Sequence, residues 1–347
     1  MTIVETRAVT GGVDTHLNVH VAAALDGIGG LLGVESFPTT PAGYTALTDW
    51  LCGFGTLERV GIEGTGSYGA GLARHLAAVG VPVLEVDRAD RASRRQSGKS
   101  DPLDAVSAAR AALSGRARGQ SKGRDGQVEA IRTLMVAKGS ARRDRTAAIN
   151  RMRALVVTGP DPIRVRFAHH TTVSLVNEAA AMRPRNSELV ELTTLIVLRE
   201  LARRAAYLAA EIDRLDDLLL PLITLRAPAL LATPGVGPDS AAILLIAAGD
   251  NPERLRSEAA WAHLCGSAPI PASSGKVVRR RLNPAGDRQA NHALWRIVLS
   301  RMSFEPRTRA YVERRLAEGK SKPEIMRCLK RYIAREVYPL LRQPVTS

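Results

Sequence analysis

Residues 13–23 read VDTHLNVHVAA, residues 59–66 read RVGIEGTG and residues 98–105 read GKSDPLDA. The first two are short apolar runs, rich in β-branched residues, of the kind that form strands. Each carries one carboxylate, Asp14 and Glu63. The third opens a helix, and its Asp101 and Asp104 are three apart, so they share one helical face. Around these stretches, residues 12–37 predict strand, turn, strand, turn, strand, with turns at Asp26-Gly27 and Gly29-Gly30. A short helix is expected over 41–52, a strand over 59–63 broken by Gly64 to Gly66, a helix over 68–79, a strand over 81–86 and a helix over 102–113. This order predicts a mixed α/β sheet domain over residues 1–125.

The chain has 347 residues and a net charge of +15, which favours a polyanionic partner. From Lys276 to Ser347 there are 18 Lys/Arg against 6 Asp/Glu, a net of +12, so most of the excess lies in the last fifth. Its apolar stretches, around Ala241–Ala248 and Leu218–Leu225, are far shorter than the roughly 20 residues a spanning helix needs. No charged and then apolar leader opens the chain, so a cytoplasmic, nucleoid-associated protein is expected. Cys52, Cys265 and Cys328 are too few and too far apart for a disulfide framework or zinc site, and are expected to be buried free thiols. Aromatics at 4% argue against a base-stacking surface of the single-strand-binding kind.

Residues 126–228 predict two long helices. The first, over 127–157, has its stripe at Ile131, Leu134, Ala141, Ala148, Met152 and Leu155, with Lys138, Arg142, Arg143, Arg151 and Arg153 mostly elsewhere. The second, over 187–224, repeats Leu198, Leu201, Ala205, Leu208, Ile212, Leu215, Leu219 and Leu222 at heptad spacing. That stripe fits either a dimerising coiled coil or a helix packed within its own chain. Residues 158–186 read as irregular. A small, mainly helical domain is expected over 229–347. The fold class is therefore α/β plus α, with a coiled-coil-like middle.

Asp14, in mid-strand, is costly unless paired or metal-bound. Magnesium prefers hard oxygen ligands, and two such ions can clamp the attacking and leaving oxygens of a phosphoryl transfer. Taken singly, each acid has a plainer reading. Asp101 before Pro102 fits an N-cap with Asp104 as its capping partner, Asp14 fits a turn at a strand edge, and Glu63 fits a surface position. Jointly they point to a metal-dependent nuclease site.

Two features mark the C-terminal half. Thr233–Asp250, TPGVGPDSAAILLIAAGD, runs a Gly235-Val-Gly237 turn into an apolar helix, as a helix-hairpin-helix-like element would to offer backbone N–H groups to phosphate. It fits a tight helix connection equally well. Residues 269–289, PIPASSGKVVRRRLNPAGDRQ, hold Ser273 and Ser274 beside Lys276, Arg279, Arg280 and Arg281. A serine needs such an electropositive setting to attack a phosphodiester, although a flexible loop before a basic strand reads the same way. Arg327, Lys330 and Arg331 extend the basic surface.

These residues resemble a known family. Asp14, Glu63 and the run from Lys99 through Asp101 to Asp104-Ala, together with PGVGPDSAAILLIAAGD, HLCGSAPIPASSGK and RRRLNPAGDRQANHALWRIVLSRM, are similar to the DEDD transposases of the IS-one-ten insertion-sequence family, relatives of the Piv invertase. The resemblance implies an RNase H/RuvC-like N-terminal domain holding Mg2+ (or Mn2+) through Asp14, Glu63, Asp101 and Asp104. It implies a serine nucleophile at Ser273 or Ser274 in a C-terminal transposase domain. It also implies a homo-oligomer, dimer or tetramer, with composite sites, and a structured non-coding (bridge) RNA that guides recombination of DNA. The alternatives are a Holliday-junction-type endonuclease that hydrolyses with water and a non-catalytic nucleic-acid-binding protein. A covalent protein–DNA adduct separates the first of these from a recombinase.

Overall fold

The computed structural model describes residues 7–86, 100–117, 119–185, 188–272, 280–281, 283–284 and 286–343. They fall into two compact units. One comprises residues up to Gly126 together with Ala248–Ser257, and the other Gln127–Ala247 with Glu258 onward.

The first unit is built on a six-stranded sheet of order β3-β2-β1-β4-β5-β6. Its strands are β1 (Ala8–Thr15), β2 (Val19–Asp26), β3 (Leu31–Pro38), β4 (Thr56–Glu63), β5 (Val83–Val86) and β6 (Gly119–Gln120). The β1–β2–β3 meander is antiparallel, β1–β4 and β4–β5 are parallel, and β6 is antiparallel to β5. The two-residue β6 has no sequence signal. Among the described residues three α-helices accompany the sheet: α1 (Pro41–Cys52), α2 (Ala70–Ala78) and α3 (Asp101–Leu113). Thr40 starts α1 by accepting a hydrogen bond from the Gly43 amide at 3.1 Å, with Pro41 at the first helical position.

Strand alternation divides this unit into two layers. Val9, Val13, Ala22, Ala24, Val60 and Ile62 join Leu47 and Leu51 of α1 and Leu72 and Leu76 of α2 in one core. The intervening residues face α3, where Val21 and Ala23 pack on Ala105 and Val106. α3 sits very close to the sheet. A Cβ on Gly12 would meet the backbone of Ala105 and Ala109, and one on Gly61 would fall 2.6 Å from the Ala108 carbonyl oxygen. In the returning segment Ala248–Ser257, the Asn251 side-chain amide donates to the Ser121 carbonyl at 2.8 Å and accepts from the Gly123 N–H at 3.2 Å.

Among the described residues the second unit is helical apart from one short strand pair. Its elements are α4 (Gln127–Thr158), α5 (Asp161–Phe167), α6 (Thr172–Ala181), α7 (Leu189–Arg226), α8 (Pro228–Leu231), α9 (Pro238–Ala248), α10 (Glu258–Leu264), β7 (Ile270–Pro271), β8 (Arg280–Arg281), α11 (Arg288–Phe304), α12 (Pro306–Ala317) and α13 (Lys322–Leu341). Residues 158–186, expected to be irregular, contain α5 and α6. Proline at the start of α5 and the Thr171 N-cap of α6 punctuate two helices too short to show a full period. Ile163, Phe167, Leu175 and Ala179 of this pair pack on Met152 of α4 and Leu195, Leu198 and Ala202 of α7. Further along, Leu208 and Ile212 meet Ala141 of α4. The heptad stripe of α7 is thus covered inside its own chain. No helix among the described residues is long and apolar enough to cross a membrane. All three cysteines are free, but of the three only Cys265 is buried; Cys328 is half-buried and Cys52 exposed.

Candidate functional site

The β-sheet sets out two of the four predicted acids. Val13 pairs with Ile62 across the parallel β1–β4 ladder, so Asp14 and Glu63 follow side by side at the ends of adjacent strands. They share the face of Gly12 and Gly61, which is the face covered by α3. On α3, Asp101, Asp104, Ala105, Ala108 and Ala112 form one stripe at helical spacing. The stripe lies on the two glycines, so its acidic N-terminal end is held at the strand ends that carry Asp14 and Glu63. The Thr15 hydroxyl ties those ends together by donating to the Glu63 carbonyl oxygen at 2.8 Å.

Asp14, His16 and Asp101 place one ligand atom each within 4.8 Å of one another. Glu63 and Asp104 are not in that group, although both are half-buried beside it. His16 is a site residue that the reading of the sequence passed over. Its place two residues after Asp14, just past the end of β1, was the available signal. Its Nε2 lies 3.2 Å from Asp14 Oδ2 and 3.3 Å from Asp101 Oδ1. Neither contact has hydrogen-bond geometry, so the nitrogen is enclosed without a hydrogen-bond partner. Burial pushes the Asp14 carboxyl above its ordinary range. The His16 imidazole opposes that rise, while the nearby Asp104 and Asp101 carboxylates add to it. Crowded acids beside an orphaned imidazole nitrogen fit a divalent cation. Oxygen ligands suit Mg2+ or Mn2+, and the imidazole tilts the set toward the softer end of that range.

The basic residues divide by what already holds them. Arg331 forms a two-pronged ion pair with Glu258, one arm at 2.8 Å. Lys330 donates to the neutral Asn291 Oδ1 at 2.8 Å, and Arg327 is exposed. Arg281 is exposed on β8. Arg280 occupies the same strand. Ser273, Ser274, Lys276 and Arg279 lie outside the described residues, as does Lys99.

Gly235 and Gly237 fall in the turn from α8 to α9. Gly235 has φ +77°, which a glycine adopts without strain. The turn lines a cavity of about 440 Å3 with Lys138, Arg142, Asp216, Asp239 and Arg296. Lys138 is 1% exposed. Its ammonium donates to Asp216 and, at 2.6 Å, to Asp239, while Arg142 reaches Asp239 Oδ2 at 2.7 Å. Burial alone would raise the Asp239 carboxyl, but the hydrogen bonds and charges of Lys138 and Arg142 hold it below its ordinary value. The expectation that Lys138 lies off the apolar stripe of α4 is therefore corrected. It is seven residues after Ile131, on the stripe itself, and Asp216 and Asp239 make its burial tolerable.

Residues 11–158 match a family model for transposases of the DEDD, IS110 type. Residues 227–313 match one described as transposase, IS116/IS110/IS902 family. The two cover about two thirds of the chain, one on each unit for most of its length. The chain is also 32% identical over 117 residues to an uncharacterized 43.6 kDa protein of the insertion element IS110 of Streptomyces coelicolor. That match spans 33% of this chain and 29% of the relative.

Proposed function

We propose, from the fact that this chain belongs to the IS116/IS110/IS902 family of transposases, that it is the recombinase of an insertion element, cutting and rejoining DNA by metal-dependent phosphoryl transfer. The observation that carries the reading is the convergence of Asp14, His16 and Asp101 from a strand end and a helix start, with Glu63 and Asp104 beside them. The strand order, an antiparallel meander extended by two parallel strands, supports an RNase H/RuvC-like first unit.

In this reading Asp14, Glu63, Asp101 and Asp104 hold Mg2+ or Mn2+, with His16 as a further ligand. A metal held by these residues would neutralise charge on the phosphodiester and lower the barrier to its displacement. Ser273 or Ser274 supplies the attacking oxygen. Its bond to phosphorus forms as the bond from phosphorus to one sugar oxygen breaks, the serine proton is released, and the departing oxygen takes up a proton as a hydroxyl. Attack by another strand's hydroxyl then reverses the step, rejoins DNA and restores the serine. The basic stretch from Lys276 to Arg281 would steady the charge of both transition states. The net charge of +15 supports a polyanion surface large enough for DNA together with a structured guide RNA. A homo-oligomer acting in the cytoplasm completes the reading.

The test is incubation of the purified protein, with RNA co-purified or supplied from the element's flanks, with DNA carrying the element ends and Mg2+. Strand exchange, with a covalent protein–DNA adduct that disappears in Ser273→Ala or Ser274→Ala, is expected. Asp14→Asn should abolish both. Cleavage without any adduct would replace this reading by a junction nuclease that uses water.

A further inference from the structure

The second unit contains a cavity of about 550 Å3 whose lining includes Arg281 of β8, Lys320, and Arg327 and Lys330 of α13. Among the described residues none of these four cations has a carboxylate in ion-pair contact. Arg315 and Arg331, which line the same cavity, are paired with Glu318 and Glu258. The single acid in the lining, Glu324, accepts hydrogen bonds from the Ser321 amide at 2.9 Å and the Ser321 hydroxyl at 2.6 Å, closing the capping box of α13. Lys330 is half-buried and, among the described residues, donates to a neutral amide and to no carboxylate. Burial, with Arg327 adding, holds its ammonium below the ordinary lysine value. The Ser321 hydrogen bonds, with the charges of Lys320 and Arg327 adding, hold Glu324 below its ordinary value, and the cations still outnumber this one carboxylate, so the cavity suits a further anion. The cavity also includes Ala268 and Pro269, just ahead of β7. It therefore stands at the root of the segment that joins β7 to β8 and contains Ser273 and Ser274.

Two tyrosines lie beside this cavity. Cys328 lines it, and Tyr332 follows one turn along the same face of α13. Tyr332 is 50% exposed and meets Tyr311 of α12 edge to face, with centroids 5.7 Å apart. Arg315 links the two features, since it lines the cavity and places its guanidinium carbon 5.9 Å from the Tyr311 ring centroid. Tyr311 and Tyr332 also line a neighbouring cavity of about 420 Å3 with Glu305 and with Glu336, which Arg301 pairs. A half-exposed aromatic ring next to a basic cavity is how proteins hold a base together with its phosphate.

We propose that this face of α12 and α13 holds an unpaired nucleotide of the DNA strand being cut, with a backbone phosphate among Arg281, Lys320, Arg327 and Lys330 and a base stacked on Tyr332. The inference rests on reading this unit as the one that handles DNA. The strand is taken as DNA rather than RNA because Ala268, Pro269 and Arg281 of the lining flank, in sequence, the stretch that holds the serines of the proposed chemistry. A duplex, whose bases are already stacked on each other, can use the cations but not the tyrosine. The surface therefore selects DNA that has been locally opened.

The experiment measures, at one fixed salt concentration, binding of the full chain to a short fluorescent DNA strand, to the same strand annealed to its complement, and to RNA of the same sequence. Tyr332→Ala is expected to weaken single-strand DNA binding about tenfold and to leave duplex binding unchanged. Tyr332→Phe keeps the ring and should retain affinity, while Arg327→Ala should weaken both forms. Equal loss on strand and duplex, no loss on either, or a Tyr332-dependent preference for RNA overturns the proposal. A wild-type chain that exchanges strands yet shows no tyrosine-dependent binding overturns this inference alone. A chain that binds no DNA overturns the function as well.

Discussion

A methyl group on Gly12 would fall 2.1 Å from the backbone nitrogen of Ala109. That contact sets the distance between α3 and the sheet, and hence the distance between Asp101 and Asp14. The helix backbone cannot give way as a side-chain tip can, so Gly12→Ala is expected to push α3 outward, costing about 1–3 kcal/mol and weakening metal binding. Gly11→Ala tests the same strand on its other face, where the nearest atom is the Leu51 Cδ1 tip at 2.9 Å. It should cost less and leave metal affinity intact. Urea unfolding with metal titration on both variants checks the contrast.

Asp14 is a carboxylate held against burial and against two acidic neighbours. Its folded pKa lies above the unfolded value, so near neutral pH its charge opposes folding until a cation is bound. Asp14→Asn is therefore expected to raise the melting temperature of the metal-free protein by roughly 2–4 °C and to abolish the further rise on adding Mg2+ to the wild type. Thermal melts with and without Mg2+ measure both effects. A variant melting lower than wild type in chelator would contradict the first.

His16 bridges the two acids through a nitrogen that has no hydrogen-bond partner. As a ligand it should matter more for Mn2+ than for Mg2+, because imidazole suits the later metal better. His16→Gln is expected to weaken Mn2+ binding at least tenfold and Mg2+ binding less, as read by calorimetric titration. Equal losses for both metals would reduce His16 to a spacer.

Lys138 neutralises Asp216 and Asp239 inside the second unit. Lys138→Ala leaves these acids without their buried cation and should cost about 3 kcal/mol. The pH dependence follows from Asp239. Its folded pKa is depressed below the ordinary value of 3.8, so its contribution is fully present above that value and lost as pH falls through the folded one. The gap in urea midpoint between wild type and Asp239→Asn should stay constant from pH 7 to 5 and close below about pH 4.

Legibility in the sequence followed the range of the interaction. α1, α3 and α4 are visible because proline at a helix start and a repeating apolar face act within a few residues. The acids are visible because strand and helix patterns place them. Lys138 shows the limit: its position on the stripe was readable, but its two partners lie 78 and 101 residues away. The same limit hid Asn251, whose backbone partners at Ser121 and Gly123 belong to a segment more than a hundred residues earlier. Residues 158–186 failed for another reason, since helices of seven and ten residues show too few turns for a period to register.

The sequence by itself determined the alternation of strands and helices, the excess of positive charge in the last fifth, and that Glu63 ends a strand while Asp101 and Asp104 open a helix, because each depends on residue type and short spacing; Asp14, read as mid-strand, stands next to the end of β1. Only the tertiary structure decided that His16 joins Asp14 and Asp101, that Arg331 is held by Glu258 while Arg327 has no carboxylate partner among the described residues, and that the α7 stripe is covered by its own chain. Those outcomes depend on which distant backbones can approach, and there the absence of a Cβ at Gly12 and Gly61 lets a helix settle on a sheet.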